Sequence, residues 1–389
     1  MLIGIVGKPN CGKSTFFKAM TLAEVEIGNR PFVTLKPNHG IGYVKINDVA
    51  IEFGKHANPR EGYVLGNYRF VPVELLDVAG LVPGAYQGKG MGNQFLNDLN
   101  QADALIHVID VSGGTNERGE PLPENNYDPA EDIKFLELEL DMWFLQIINK
   151  GWEKFSKTVK YEGENIVRSL AKQLSGLQVT EGMVKEAIKG FNNDPTQWNE
   201  SELKHLASHL RKKAKPMIIA ANKIDVPGAK KNLERLKIEF PDYKIIGCSA
   251  AAELTLKETS KKEFIKYIPG ENNFEITNEL NTQQKNALNF LKETMPTGVQ
   301  NIMDTIVFDI LKYIAIHPGG VAKLEDSKGR CLPDCFLMPI NSTALDFAYK
   351  LHTDFGKNFI RAIDVKTKKT VGKEHILKHL DIIELIAGK

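Results

Sequence analysis

Cysteine, long apolar runs and net charge are all scarce in this chain, and each shortage closes off a class of answer. Four cysteines (Cys11, Cys248, Cys331 and Cys335) among 389 residues cannot staple the fold, which fits a reducing compartment. Cys331 and Cys335 lie close in sequence, but no second Cys or His pair with zinc-ligand spacing accompanies them. No apolar run approaches the ~20 residues of a membrane span. The N-terminus reads as a first strand rather than a signal peptide, so a cytoplasmic protein is expected. The formal net charge is only +1, so any binding to nucleic acid or membrane must come from local patches. The length suits two or three domains.

Glycine and lysine are placed with purpose at the start. Gly7 to Ser14 read GKPNCGKS, directly after the apolar run Leu2–Val6 and before a helix-compatible segment from Lys13. A strand, a Gly-rich turn and a helix start are the context of a phosphate-binding loop. Gly7 and Gly12 permit a backbone whose N–H groups point inward, and the helix N-terminus adds the positive end of its dipole. In this reading Gly7, Lys8, Pro9, Asn10, Cys11, Gly12, Lys13, Ser14 and Thr15 surround the phosphates. Lys13 stabilises phosphate charge and the Ser14 hydroxyl ligates Mg²⁺.

Later segments fall into place around that loop. The stretch 28–42 is too rich in Pro and Gly for a helix, and its Thr34 is a candidate second metal ligand from a loop before the strand Ile41–Ile46. The apolar strand 69–77 ends in Asp77-x-x-Gly80, which puts a carboxylate at the crevice end of a parallel strand as a metal ligand. The Gly80 N–H would meet the γ-phosphate, and the glycines after it suit a switch loop. Ala104–Val111 reads as a strand buried on both faces, with His107 as a core histidine.

From Glu131 the period becomes helical. Ile133, Leu136, Leu140, Trp143 and Ile147 form one stripe, and Val167, Leu170, Leu174 and Leu177 a second. Two stripes joined by a polar stretch predict an antiparallel helical hairpin. Asn199 with Glu202 predicts a capping box, as does Thr297 with Gln300. His205 and His209 at i, i+4 read as a solvated helix face.

Strand character returns at Met217–Ala221, followed by Asn222-Lys223-Ile224-Asp225. Asp225 would accept hydrogen bonds from the guanine N1–H and exocyclic amine, Asn222 would tie the base site to the phosphate loop, and the Lys223 stem would cover one ring face. Adenine offers an acceptor at N1; leaving a buried Asp225 unpaired would cost roughly 2–4 kcal/mol. Ser249, Ala250 and Ala251 follow a last strand and could contact guanine O6.

GKPNCGKST, RPFVT, DVAGLVPGA, NKID and CSAAAE, in this order, resemble the YchF/Obg-like branch of translation-factor-class P-loop GTPases. LPDCFLMPINSTALDFAYKLHTDFGKNFIRAID resembles a TGS domain, a β-grasp module. The resemblance implies an α/β fold: a Ras-like G domain (1–130 and 214–312), an inserted helical, coiled-coil-like domain (131–213) and a C-terminal β-grasp TGS domain (313–389). It implies a Mg²⁺-dependent GTPase, monomeric, switching at the ribosome or RNA. An ATP-preferring hydrolase, or an adaptor with incidental hydrolysis, are the alternatives. Bacterial and eukaryotic members replace the lysine and aspartate of N-K-x-D and favour ATP; this chain keeps Lys223 and Asp225, as in an archaeal-like branch. Leu81 stands where Ras-type GTPases have a water-orienting Gln, and loop 112–128 lacks the histidine proposed for that task in bacterial members. Asn10 resembles an asparagine with which some GTPases bind K⁺. Lys150, Lys154 and Lys157 at i, i+4 and i+7, with Lys160, Trp152 and Phe155, and Lys212, Lys213 and Lys215 beyond, read either as a solvated face or as an RNA surface. Lys366, Lys368 and Lys369 add to the RNA reading.

Overall fold

The computed structural model describes residues 1–22, 38–78, 98–279 and 281–388. Thr34, Gly80 and Leu81 lie outside the described residues. The strands in chain order are β1 (Leu2–Val6), β2 (His39–Asn47), β3 (Tyr63–Leu65), β4 (Tyr68–Asp77), β5 (Ala104–Asp110), β6 (Met217–Asn222), β7 (Lys244–Cys248), β8 (Ile265–Tyr267), β9 (Phe274–Ile276), β10 (Tyr313–Pro318), β11 (Phe336–Pro339), β12 (Phe359–Asp364), β13 (Lys369–Val371) and β14 (Asp381–Ala387). The chain divides into two compact units: Met1–Phe17, Asn38–Gly40 and Glu74–Ala251 form the first, Lys18–Pro37, Ile41–Val73 and Ala252–Lys389 the second.

In the first unit β1 lies between β4 and β5, and β6 and β7 follow outward, every pairing parallel. Parallel strands need helices on both faces, so their residues are apolar almost throughout, and β5 and β6 are buried along their whole length. The register aligns the functional ends of the strands. Ile5 stands beside Asp77, Val6 beside His107, Asp110 beside Asn222, and Asn222 beside Cys248. The carboxyl ends of five strands therefore open on one crevice, where sheets of this type bind ligands.

The helical insertion belongs to this unit and shares its core, from Ile133, Leu136 and Leu140 to Leu203, Leu206 and Leu210. Its long helix Ala130–Asn149 packs chiefly against Glu200–Ala214, whose N-terminus carries the capping box of Asn199 and Glu202. The hairpin partner is thus the helix Glu200–Ala214 rather than Val167–Leu177. That second stripe is cut short, because Asn165 caps a helix of only Ile166–Gln173 and Gln178 turns into the left-handed region. Lys150, Lys154 and Lys157 do not share one helix. Gly151, at φ 80°, separates Lys150 from the helix Trp152–Glu162. Trp152 stacks on Trp198 with ring centroids 5.4 Å apart, so the interleaved aromatics face the insertion's core rather than a partner. Lys215 is buried, donating to the Asn100 and Ala102 carbonyls, and is no surface cation either.

In the second unit a five-stranded sheet runs β11-β10-β14-β12-β13, with the helix Ala344–Leu351 seated on it through Phe347. One helix packed against a mixed sheet is the expected β-grasp arrangement. The predicted cap of Thr297 and Gln300 does not form. Gly298, at φ 79°, begins the helix Val299–Asp304, while the Thr297 hydroxyl bonds the buried Glu253 and Gln300 donates to the Tyr43 carbonyl. No helix among the described residues is long and apolar enough to cross a membrane.

Candidate functional site

β1 ends at Val6 and the helix Lys13–Thr21 begins with six residues between them, so the chain must turn tightly across the end of the sheet. Two positions there admit only glycine. A Cβ on Gly7 would stand 2.5 Å from the Val108 carbonyl oxygen; one on Gly12, whose φ is 94°, would stand 2.2 Å from Asn222 Nδ2. The second clash matters most, because Asn222 joins the two halves of the site. Its Nδ2 donates to the Cys11 carbonyl at 2.9 Å, and its Oδ1 accepts from Ala250 N–H at 3.0 Å. One buried amide thus holds the phosphate loop, the N-K-x-D turn and the Ser249–Ala251 segment together.

Lys13 and Asp77 form an ion pair at the carboxyl ends of β1 and β4. Ser14 is exposed in the first turn of the helix, and Thr15 is half-buried beside it. Pro9 and Asn10 are exposed on the loop, with Asn10 at φ 59° and its Nδ2 donating to the Gly119 carbonyl at 2.9 Å. Cys11 is fully buried, and burial pushes its thiol up to about 12, so it serves as packing rather than as a nucleophile. Lys223 adopts φ 66°, and its ammonium meets Asp110 at 2.7 Å. Asp225 is exposed, so any desolvation it undergoes must come from a base stacked against it, not from a burial already in place. Ser249 and Ala250 are buried, and Ala251 is exposed at the start of the helix Ala250–Lys261.

Lys8, expected among the phosphate contacts, is held by residues that were not singled out from the sequence: Thr115, Asp132 and Tyr127. Its ammonium donates to the Thr115 carbonyl at 2.9 Å, pairs with Asp132 at 2.9 Å and sits 3.8 Å over the Tyr127 ring. Burial, opposed by Lys8, raises the Asp132 carboxyl to about 6. The loop 112–128 therefore buttresses the phosphate loop, and Gly119 lies against Pro9 so closely that a Cβ would meet its carbonyl at 2.4 Å. His107 is a core residue held neutral, its pKa lowered to about 3 by burial and then by the Lys8 charge. The signal available in sequence was Asp110, a carboxylate closing an otherwise apolar strand.

Comparisons with known proteins show the family. Residues 2–150 match the 50S ribosome-binding GTPase model, 220–320 the Obg-like GTPase YGR210-like, G4 motif-containing domain, and 324–387 the TGS domain. An uncharacterized GTP-binding protein of Methanocaldococcus jannaschii is 48% identical over 394 residues, spanning 100% of this chain and 99% of that one. The chain belongs to the YchF/Obg-like family of P-loop GTP-binding proteins. A crystal structure of a GTP binding protein from Pyrococcus horikoshii OT3 matches over the whole of both chains, with 38% identity and TM-score 0.80. A Buchnera aphidicola protein named ribosome-binding ATPase YchF is 28% identical, covering 98% of each chain. The family is one of P-loop nucleoside triphosphate hydrolases.

Proposed function

We propose that this protein is a Mg²⁺-dependent GTPase that hydrolyses GTP to GDP and phosphate, and that it acts as a switch at the ribosome or on RNA. The observation that carries the reading is Asn222, which ties the phosphate loop to a turn that presents Lys223 and Asp225 together. Asp225 accepts from the guanine N1–H and amine, a pairing that adenine cannot return. The relative named an ATPase supplies the competing reading; the intact Lys223 and Asp225 of this chain favour guanine. The ribosome enters through that relative's name and the description of the matched GTPase model.

The donor set fits Mg²⁺. Ser14 offers a hydroxyl and Asp77 a carboxylate beside Lys13, hard oxygens of the kind that ion takes together with phosphate oxygens and water. Mg²⁺ would neutralise charge on the β- and γ-phosphates. Lys13 does the same from the protein side, and the first-turn N–H groups add the positive end of the helix dipole. Because Lys13 and Asp77 already pair, a phosphate and a cation entering there each replace one member of an existing contact. Thr34 completes the proposed metal set and the Gly80 N–H the γ-phosphate contacts. K⁺ beside Asn10 is a further element of the proposal.

Titration calorimetry with GTP and ATP in Mg²⁺ tests the reading. GTP should bind at least about a hundredfold more tightly; equal affinities overturn the guanine assignment.

A further inference from the structure

Asp110 closes β5 at the edge of the crevice and is fully buried. Each of its oxygens has two donors. Oδ1 accepts from Ser112 N–H at 3.2 Å and Ser112 Oγ at 2.5 Å; Oδ2 accepts from Thr115 Oγ1 at 2.9 Å and from Lys223 Nζ at 2.7 Å. A buried carboxylate with no charged partner would be costly, and Lys223 is the cation that answers it. The lysine side chain is 32% exposed, so it runs from the open rim of the crevice to a buried anchor.

The backbone of Lys223 is constrained as well. It lies in the left-handed region at φ 66°, and Val226 N–H donates to its carbonyl at 3.1 Å, which closes the turn that carries Asp225. A lysine fixed at both its backbone and its ammonium loses the freedom that its four-carbon stem would otherwise have.

We propose that Asp110 is a positioning residue for base recognition: by anchoring the Lys223 ammonium it fixes the lysine stem as one wall of the base site. This rests on the reading of Asn222–Asp225 as the base-binding turn. Asp110 touches no nucleotide in this role and acts through Lys223 alone. The loop it folds has a second duty, since the Thr115 carbonyl receives Lys8 from the phosphate loop. A purely structural Asp110 would affect that support whether or not Lys223 was present, and this separates the two roles.

The test is a double-mutant cycle on the full-length chain, with GDP and ADP affinities measured by calorimetry. Asp110→Asn and Lys223→Met should each weaken GDP binding by about tenfold, and the double variant by little more than either alone. Multiplicative losses, near a hundredfold in the double variant, overturn the proposal and leave Asp110 as scaffold. The guanine reading is judged separately, from the GDP to ADP ratio of the unaltered chain; its failure leaves the coupling measurable with either nucleotide. If Asp110→Asn does not fold, Lys223→Arg carries the test. Arginine keeps a charge for Asp110 and should retain affinity within about threefold, whereas Lys223→Met should not. Equal losses in the two Lys223 variants overturn the proposal.

Discussion

The lysines around the phosphate loop and those on the inserted helices find their countercharges in different places. Lys13 pairs with Asp77 and Lys223 with Asp110, 64 and 113 residues away in sequence, and Lys8 reaches Asp132 on the insertion's first helix. Those pairs lie in the interior or at its rim. On the insertion, Lys157 pairs with Glu153 and Lys204 with Glu200 one turn away, while Lys160, Lys212 and Lys213 meet Asp194, Asp242 and Glu186 at the surface. A buried long-range pair fixes the register of distant segments, because breaking it strands a charge. An exposed local pair contributes little and is screened by salt. The same residue type is therefore architecture in one region and solvation in the other.

Removing Lys13 gives the sharpest break. Lys13→Ala should lower single-turnover hydrolysis of Mg²⁺-GTP by at least about a hundredfold through lost phosphate charge stabilisation, as read by phosphate release. A rate within threefold of the unaltered chain would place the phosphates elsewhere. Next comes Lys8, whose side chain is 5% exposed. Lys8→Met leaves Asp132 buried and uncompensated, and should cost about 3 kcal/mol in urea unfolding. Adding Asp132→Leu should recover most of that loss, because a buried pair replaced by apolar residues is tolerated far better than a broken one.

The same carboxylate gives a pH signature. Folding raises the Asp132 pKa to about 6 from 3.8, chiefly by burial. Between those values the folded chain keeps a proton that the unfolded chain has lost. Stability contributed by this group is thus full below about pH 4, falls as pH rises toward 6, and is level beyond. The drop should be on the order of 3 kcal/mol. Asp132→Asn should remove it from unfolding curves measured across that range; an unchanged slope would assign the pH dependence to other groups.

How much of this could be read beforehand varied with the kind of constraint. The strands of the first unit were legible because a parallel sheet buried on both faces has to be apolar throughout, and β5 and β6 are. The site's central motifs were legible because phosphate and base chemistry dictates residue types over a few positions. What escaped was whatever depends on a distant partner. Nothing near Lys8 in sequence announces Asp132, and nothing near Thr297 announces Glu253. The lysine stripe 150–157 is continuous in spacing, and a single left-handed glycine, Gly151, breaks it. The aromatics interleaved with it pack inward, Trp152 against Trp198 far along the chain.

The smallest expected effect concerns those insertion lysines, and it decides which region would carry the proposed ribosome or RNA contact. Lys157 and Lys160 already have carboxylate partners, and both are about half exposed. Their positive charge is largely spent locally, so little remains to displace counterions from a phosphate backbone. Changing Lys154, Lys157 and Lys160 together to Glu should leave the thermal midpoint and GTP affinity nearly unchanged. It should also leave co-sedimentation with ribosomes intact at ~150 mM salt, close to physiological screening. In the β-grasp module Lys366 is paired with Glu52, but Lys368 and Lys369 stand exposed at the turn into β13, with Lys368 at φ 57°. Lys368→Glu with Lys369→Glu should therefore weaken co-sedimentation and flatten its salt dependence, since two phosphate contacts would be lost. Loss of binding in the insertion variant, with the β-grasp variant unaffected, would reverse the assignment and return the RNA surface to the helices.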